Sequence, residues 1–210
     1  MRALLFDFNG TLSDDERVQC EIFRELFAEH RPLSEAEYFD ELAGLSDPEI
    51  VEHWLGADHP AAAQLLEGRT RLFLERVGDG STVAPNVREA VLRAIGRARL
   101  AVVSGAARSE VETVLRAAGI AVFDVIVSAE DVSRGKPDPE GYLRALDLLG
   151  LPGARAASIE DTPPGVTAAK AAGLYCVAVL GTVPRERLGE GDEIVPSSMT
   201  SSWTGCSRSS

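Results

Sequence analysis

Asp7, Glu160 and Asp161 occupy sequence contexts in which a carboxylate can do chemistry. Asp7 follows the apolar run Ala3–Phe6 and enters the turn Asn9-Gly10-Thr11. Continuous apolar runs bounded by turn residues read as strands buried on both faces, and ligands of open parallel sheets gather beyond the carboxyl ends of such strands. Glu160 and Asp161 close a second apolar run, 157–159, just ahead of Pro163-Pro164-Gly165, which starts a helix. Carboxylates at neighbouring strand ends suit a hard cation: Mg²⁺ prefers few carboxylates, near-octahedral oxygen ligands and retained water. The competing assignments are a turn residue for Asp7 and a helix N-cap for Asp161.

Two further strand ends carry polar groups. Ser104 and Gly105 follow the run 100–103 and precede a helix beginning near Arg108, where backbone N–H groups and the helix dipole favour an anion. An isolated Ser-Gly pair is also an ordinary helix-entry turn. Lys136, in the loop Arg134-Gly135-Lys136-Pro137-Asp138-Pro139, is one of only two lysines, with Lys170, in an arginine-rich chain. A lysine there suggests a compact point charge, against the plainer reading of a solvated loop cation.

These positions need a scaffold. Strands are expected at 3–6, 100–103, 125–127, 157–159 and 176–180, with helices between them from about Asn86 onward. Such alternation implies a parallel sheet covered on both faces, an α/β, doubly wound (Rossmann-like) core. Between the first strand and that rhythm lies a block without strands. Val18, Ile22, Phe23, Leu26 and Phe27 recur at helical spacing, and helices follow at 35–43, 48–55 and 60–77. Residues 1–14 and 81–196 are therefore expected to form the core, with 15–80 inserted as an all-helical cap domain over the strand ends. Residues 197–210 have no apolar period and read as a disordered tail. That tail is either a frayed terminus or a frameshift product, since GC-rich codons read one nucleotide earlier can encode a helical apolar period.

Composition narrows the partners. The chain has 210 residues, 45% of them hydrophobic, enough for one domain with a modest insertion. A formal net charge of -12 disfavours nucleic acid and anionic membrane, both of which reward clustered Lys and Arg. Cys20, Cys176 and Cys206 are too scattered for a disulfide framework or a zinc site, so a reducing cytoplasm is expected. No signal-peptide pattern and no membrane-spanning apolar stretch is expected either.

Taken together, DFNGTL, VVSGA, GKPDPEGY and EDTPPGVTAAKAAG resemble, in order, the four motifs of the haloacid dehalogenase-like superfamily. The likeness covers residues 3–195 and points to the type I branch with an inserted helical cap, that of beta-phosphoglucomutase and phosphoglycolate phosphatase. By this resemblance Asp7 is the nucleophile that accepts a phosphoryl group from a small phosphorylated metabolite. It also implies Mg²⁺ held by Asp7, the main-chain oxygen of Asn9 and Asp161, with Glu160 supporting through water. Thr11, Ser104, Gly105 and Lys136 would bind the phosphoryl group, and Asp7, Asn9 and Lys136 would form the catalytic set. The physics is compatible: phosphoryl group and carboxylate repel until cationic groups neutralise them.

One position departs from the pattern. Phosphatases of this family carry an aspartate two residues after the nucleophile, where this chain has Asn9. That aspartate protonates the leaving alkoxide and later takes the proton of the attacking water, work an amide cannot do; such catalysis is worth about 10²–10⁴-fold. The expectation is a slow or selective phosphatase that relies on a good leaving group, on the substrate, or on another acid such as Asp14 or Asp15. The alternatives are a phosphate-binding or regulatory protein and partial deamidation of Asn9, which precedes Gly10. The Schiff-base branch needs a cap lysine, and residues 13–80 contain none. The dehalogenating branch has no use for a cation-holding Glu160-Asp161 pair. The segment Gly44-Leu45-Ser46-Asp47-Pro48-Glu49, with His53, resembles the cap segment that faces the active site in similar proteins. His53 on a mostly apolar helix is expected to be structural, and Arg24, Arg31, Arg69, Arg71 and Arg76 to lie on solvated faces.

Overall fold

The computed structural model describes residues 2–196. β1 (Ala3–Phe6), β2 (Arg99–Val103), β3 (Val125–Val127), β4 (Ala156–Glu160), β5 (Tyr175–Leu180) and β6 (Glu193–Pro196) form one parallel sheet in the order β3-β2-β1-β4-β5-β6. Between β1 and β2 lie α1 (Glu16–Phe27), α2 (Glu35–Glu37), α3 (Asp47–Leu55), α4 (Ala62–Val77) and α5 (Pro85–Ala94). After β2 come α6 (Arg108–Ala117), α7 (Glu140–Leu149) and α8 (Pro163–Ala171), which lead to β3, β4 and β5 in turn.

Successive strand residues point to opposite faces, and this explains why β1 is apolar throughout. Phe6 packs in one layer with Val102, Ile159 and Val177 and with Val91 of α5 and Val111 and Val114 of α6. Ala3 and Leu5 pack in the other, with Ala101, with Tyr142, Leu146 and Leu149 of α7, and with Val166 and Ala169 of α8. Each fully buried Leu, Val or Phe stabilises the fold by about 1.5–3 kcal/mol relative to exposure. The order reverses direction between β1 and β4, so their carboxyl ends border the crevice where ligands of such sheets bind.

A third apolar cluster belongs to the helical block: Phe23 and Phe27 of α1, Tyr38 and Leu42, Ile50 and Trp54 of α3, and Leu65 of α4. Ile22 of α1 and Leu72, Phe73 and Val77 of α4 instead join the sheet's Phe6 layer. The same two helices thus carry one apolar face for the block and another for the core. Arg69 of α4 sits between them, 1% exposed. Its guanidinium reaches Asp47 (3.1 Å), Glu110 of α6 and Gln19 of α1, and stacks over Phe73 at 4.5 Å.

Three details differ from the sequence reading. The helix expected at 35–43 is the three-residue α2 followed by a wider π-helical turn, Tyr38–Leu42. The helix expected from residue 60 starts at Ala62. β6 was not expected: Ile194 and Val195 are too short an apolar run to stand out, and Pro196 is tolerated because the strand lies at the sheet edge. The expectation for 197–210 lies outside the described residues.

Arg69→Met should lower the free energy of unfolding by about 3–5 kcal/mol, because buried Glu110 and partly buried Asp47 lose their counter-charge. Urea denaturation checks this; a loss below about 1 kcal/mol, within the range of an exposed ion pair, would contradict it.

Candidate functional site

Parallel pairing of Phe6 with Ile159, continued by the Asp7 N–H donating to the Ile159 carbonyl at 2.9 Å, brings Asp7 beside Glu160. Asp161 follows in chain. Asp7, Glu160 and Asp161 are all buried, and one oxygen from each lies within 4.8 Å of the others. Lys136 answers part of that charge: its Nζ is 2.5 Å from Asp7 Oδ1 and 2.6 Å from Glu160 Oε1. Tyr142, from α7, donates its hydroxyl to Glu160 Oε1, while Glu160 Oε2 is buried with no hydrogen-bond partner. Asp161 accepts from Thr11 (3.1 Å) and from Thr182.

Two glycines permit this crowding. Gly10 has φ +74°, and a Cβ there would fall on the Asp161 carboxylate; a Cβ at Gly165 would fall on that of Glu160. Burial pushes Glu160 up to about 7 even though Lys136 opposes the shift, and it pushes Asp161 well above the ordinary carboxylate range, with Asp7 and Glu16 adding to it. Burial also works against the charge on Lys136, but the Asp7 and Glu160 carboxylates outweigh it and hold its pKa above lysine's usual value. A buried set of hard oxygen donors with an unmatched Glu160 oxygen fits Mg²⁺.

The other sequence candidates are placed unequally. Asn9 and Gly105 line the cavity at Asp7, together with Lys136. The Ser104 hydroxyl accepts the Ala106 N–H at 3.0 Å, a helix-entry bond, and Ser104 borders an adjoining cleft that Lys136 also lines. Thr11 is turned to Asp161 rather than into the cavity. Asn9 Nδ2 donates to Asp15 Oδ1 at 3.1 Å. Asp15 is 0% exposed, its Oδ2 lacks a partner, and burial pushes its pKa up to about 7. Asp14 is exposed and borders an outer pocket instead.

Where the helical block closes the cavity, Gly44, Leu45 and Asp47 come from the 44–49 segment expected to face the site, whereas Glu16, Gln19 and Tyr38 are residues that the sequence did not single out. Glu16, Gln19, Tyr38 and Asp47 line it, leaving a volume of about 30 Å³. Burial, then Asp15 and Asp7, pushes Glu16 up to about 8, and its Oε2 accepts the Tyr38 hydroxyl at 3.2 Å. Burial pushes Asp47 up to about 6, with Arg69 opposing. Acidic residues in the first turn of a helix are routine partners of the helix dipole, so no local signal marked Glu16, and Asp47 was marked only by the likeness of its segment to a cap segment. His53 pairs with Glu41 at 3.3 Å on the surface. Arg69 corrects the expectation of a solvated face: its acidic neighbours Asp47 and Glu110 come from α3 and α6, far apart in sequence, and Phe73 lies one turn on in its own helix.

The model of the haloacid dehalogenase-like hydrolases matches residues 1–173. Validoxylamine A 7'-phosphate phosphatase of Streptomyces hygroscopicus subsp. limoneus is 31% identical over 92% of this chain and 92% of its own length. Among solved structures, an aspartate-to-asparagine variant of CbbY from Rhodobacter sphaeroides, in complex with xylulose-1,5-bisphosphate, aligns with TM-score 0.82 and 30% identity. It covers 93% of this chain and 94% of that one. Beta-phosphoglucomutase of Clostridium difficile shares the fold, with TM-score 0.83 at 20% identity over 94% of this chain and 92% of its own. Among the described residues no helix is long and apolar enough to cross a membrane.

An acid whose pKa is raised by folding holds its proton more tightly folded than unfolded. Stability therefore falls as pH climbs from the ordinary carboxylate range through the raised values. With Asp15 and Glu160 near 7 and Glu16 near 8, the chelator-treated protein should melt lower at pH 8 than at pH 5.5. A difference of a few degrees or more is expected, since about 2–4 °C corresponds to 1 kcal/mol at this size. Mg²⁺ should raise the melting temperature more at pH 8 than at pH 5.5. Calorimetry across this range checks both, and a flat profile contradicts them.

Proposed function

The chain belongs to the haloacid dehalogenase-like hydrolases, and from that premise we propose that it is a Mg²⁺-dependent phosphatase of a small phosphorylated metabolite. The observation that carries this reading is Asp7, buried at the end of β1 and paired with Lys136 beside Glu160 and Asp161. In this proposal 1–14 and 81–196 form the catalytic core, and 15–80 is the cap that closes on substrate.

Asp7, Asp161 and the main-chain oxygen of Asn9 would hold Mg²⁺, with Glu160 supporting through water. When bound, the ion supplies charge neutralisation for the phosphoryl oxygens. Lys136 adds a second positive charge. The Asp7 carboxylate attacks phosphorus, the ester P–O bond breaks, and the leaving alkoxide takes up a proton. Water then attacks the aspartyl phosphate, loses its proton and releases phosphate, restoring Asp7. Gly105, on the wall of the cavity at the entry to α6, would contact the phosphoryl group through its backbone, with Ser104 next to it.

Asn9 cannot carry the proton in either step. The nearest carboxyl bonded to it is Asp15, so acid and amide are paired here with the acid one hydrogen bond removed from position 9. This favours slow turnover that depends on leaving groups needing little protonation. A second reading, a phosphate-binding or regulatory protein with negligible turnover, is supported by the same Asn9. It draws further support from the CbbY relative, an aspartate-to-asparagine variant that holds a sugar bisphosphate.

Hydrolysis of p-nitrophenyl phosphate and of glycerol 3-phosphate by the native protein and three variants tests this. Asp7→Ala should abolish Mg²⁺-dependent turnover of both. Asn9→Asp alone should gain little, because it sets a carboxylate against Asp15. The exchange Asn9→Asp with Asp15→Asn restores an acid–amide pair and should raise glycerol 3-phosphate turnover by about 10²-fold or more. Native activity that survives Asp7→Ala removes Asp7 as the nucleophile. No native turnover with phosphate still bound moves the conclusion to the second reading.

A further inference from the structure

The two oxygens of Glu160 are treated unequally. Oε1 receives two donors, the Tyr142 hydroxyl and Lys136 Nζ at 2.6 Å, while Oε2 is buried with no partner. Lys136 already places a positive charge beside Oε1. A further donor on that oxygen, rather than on the one that lacks any, leaves the hydrogen-bonding need of Glu160 unmet, so its effect lies in where it holds the carboxylate.

Tyr142 is a rigid donor. It is wholly buried on α7 and belongs to the same apolar layer as Val103, Val127 and Leu146, which leaves its ring little room to move. Lys136, by contrast, reaches Glu160 on a long side chain that also serves Asp7. Gly165, in the first turn of α8, lies so close to the same carboxylate that a Cβ there would fall on it. Two helices of the core therefore fix Glu160 at the end of β4, and Tyr142 does so without lining the Asp7 cavity.

A buried acceptor without a partner is costly, and a clamped carboxylate cannot turn to relieve itself. Oxygen donors held at fixed positions suit Mg²⁺, which demands near-ideal octahedral geometry, better than Ca²⁺, which accepts more ligands in flexible arrangements. We infer that the Tyr142 hydroxyl is a positioning group for the cation site: by fixing Glu160 it strengthens Mg²⁺ binding and sets a preference for Mg²⁺ over Ca²⁺. This rests on the Mg²⁺ assignment in the reading above and gives a role in it to a residue of α7. Outer partners that orient a metal-binding carboxylate are typically worth about 10–100-fold in affinity.

Isothermal titration calorimetry of the chelator-treated native protein and Tyr142→Phe, each with Mg²⁺ and with Ca²⁺, tests this. The variant loses the hydroxyl and keeps the ring, and its melting temperature in chelator shows that it is folded. Mg²⁺ should bind it about 10–100-fold more weakly and Ca²⁺ with a much smaller loss, so the preference between the ions narrows. Turnover of p-nitrophenyl phosphate lost at low Mg²⁺ should return at saturating Mg²⁺, which damage to the fold would not allow. Gly165→Ala, which crowds the same carboxylate from α8, must show the same selective loss and serves if Tyr142→Phe does not fold. Unchanged or tighter Mg²⁺ binding, or an equal loss for both ions, overturns the inference while the phosphatase reading stands. Native protein that binds Mg²⁺ without turnover removes the phosphatase reading, and the calorimetry alone then decides the inference. Native protein that binds no Mg²⁺ removes both.

Discussion

Buried negative charge at the end of a parallel sheet is the constraint around which the rest of this molecule is arranged. Asp7, Glu160 and Asp161 are held together by strand register, not by attraction, and desolvation makes the ionised forms of Glu160 and Asp161 costly. Lys136 offsets only part of that cost, and it does so from the loop before α7, whose Tyr142 lies under the same Glu160. Thr11 and Thr182 satisfy Asp161 from the loops after β1 and β5. Three separate loop regions are thereby tied to one cluster, in which the buried Glu160 Oε2 still has no hydrogen-bond partner.

The helical block is anchored by a second charge problem of opposite sign. Arg69 is as buried as a core leucine, and its partners come from α1, α3 and α6. Through Glu110 it couples the block to the sheet domain, and through Asp47 it ties α4 to α3. Buried ion pairs contribute less to net stability than their geometry suggests, but leaving one partner alone is costly. Position and specificity are therefore the better account of why the arginine is there.

Asn9 and Asp15 show how a departure at one motif position is accommodated locally. Two carboxylates within hydrogen-bonding distance would have to share a proton; an amide beside a carboxyl needs no such sharing. The buried Asp15 is compatible with Asn9 in a way it would not be with a second ionised aspartate. The substitution at position 9 and the acid at 15 read as one unit, which is why changing either alone gives a poor account of what position 9 does.

The sequence by itself determined the strand ends and what they carry. Apolar runs stopping at Asp7, Ser104 and Glu160 located the β1, β2 and β4 termini, because strands buried on both faces must be apolar along their length and polar groups appear only where burial ends. The helical insertion was legible for the same reason, through the 3.6-residue apolar period of α1 and α4. Only tertiary structure decided that Thr11 serves Asp161, that Asn9 leans on Asp15, that Arg69 is buried, and that Glu16 faces the cavity. Those facts depend on side chains brought together from segments up to 150 residues apart, and a local pattern records a residue's own helix or strand, not the charge that will be packed against it.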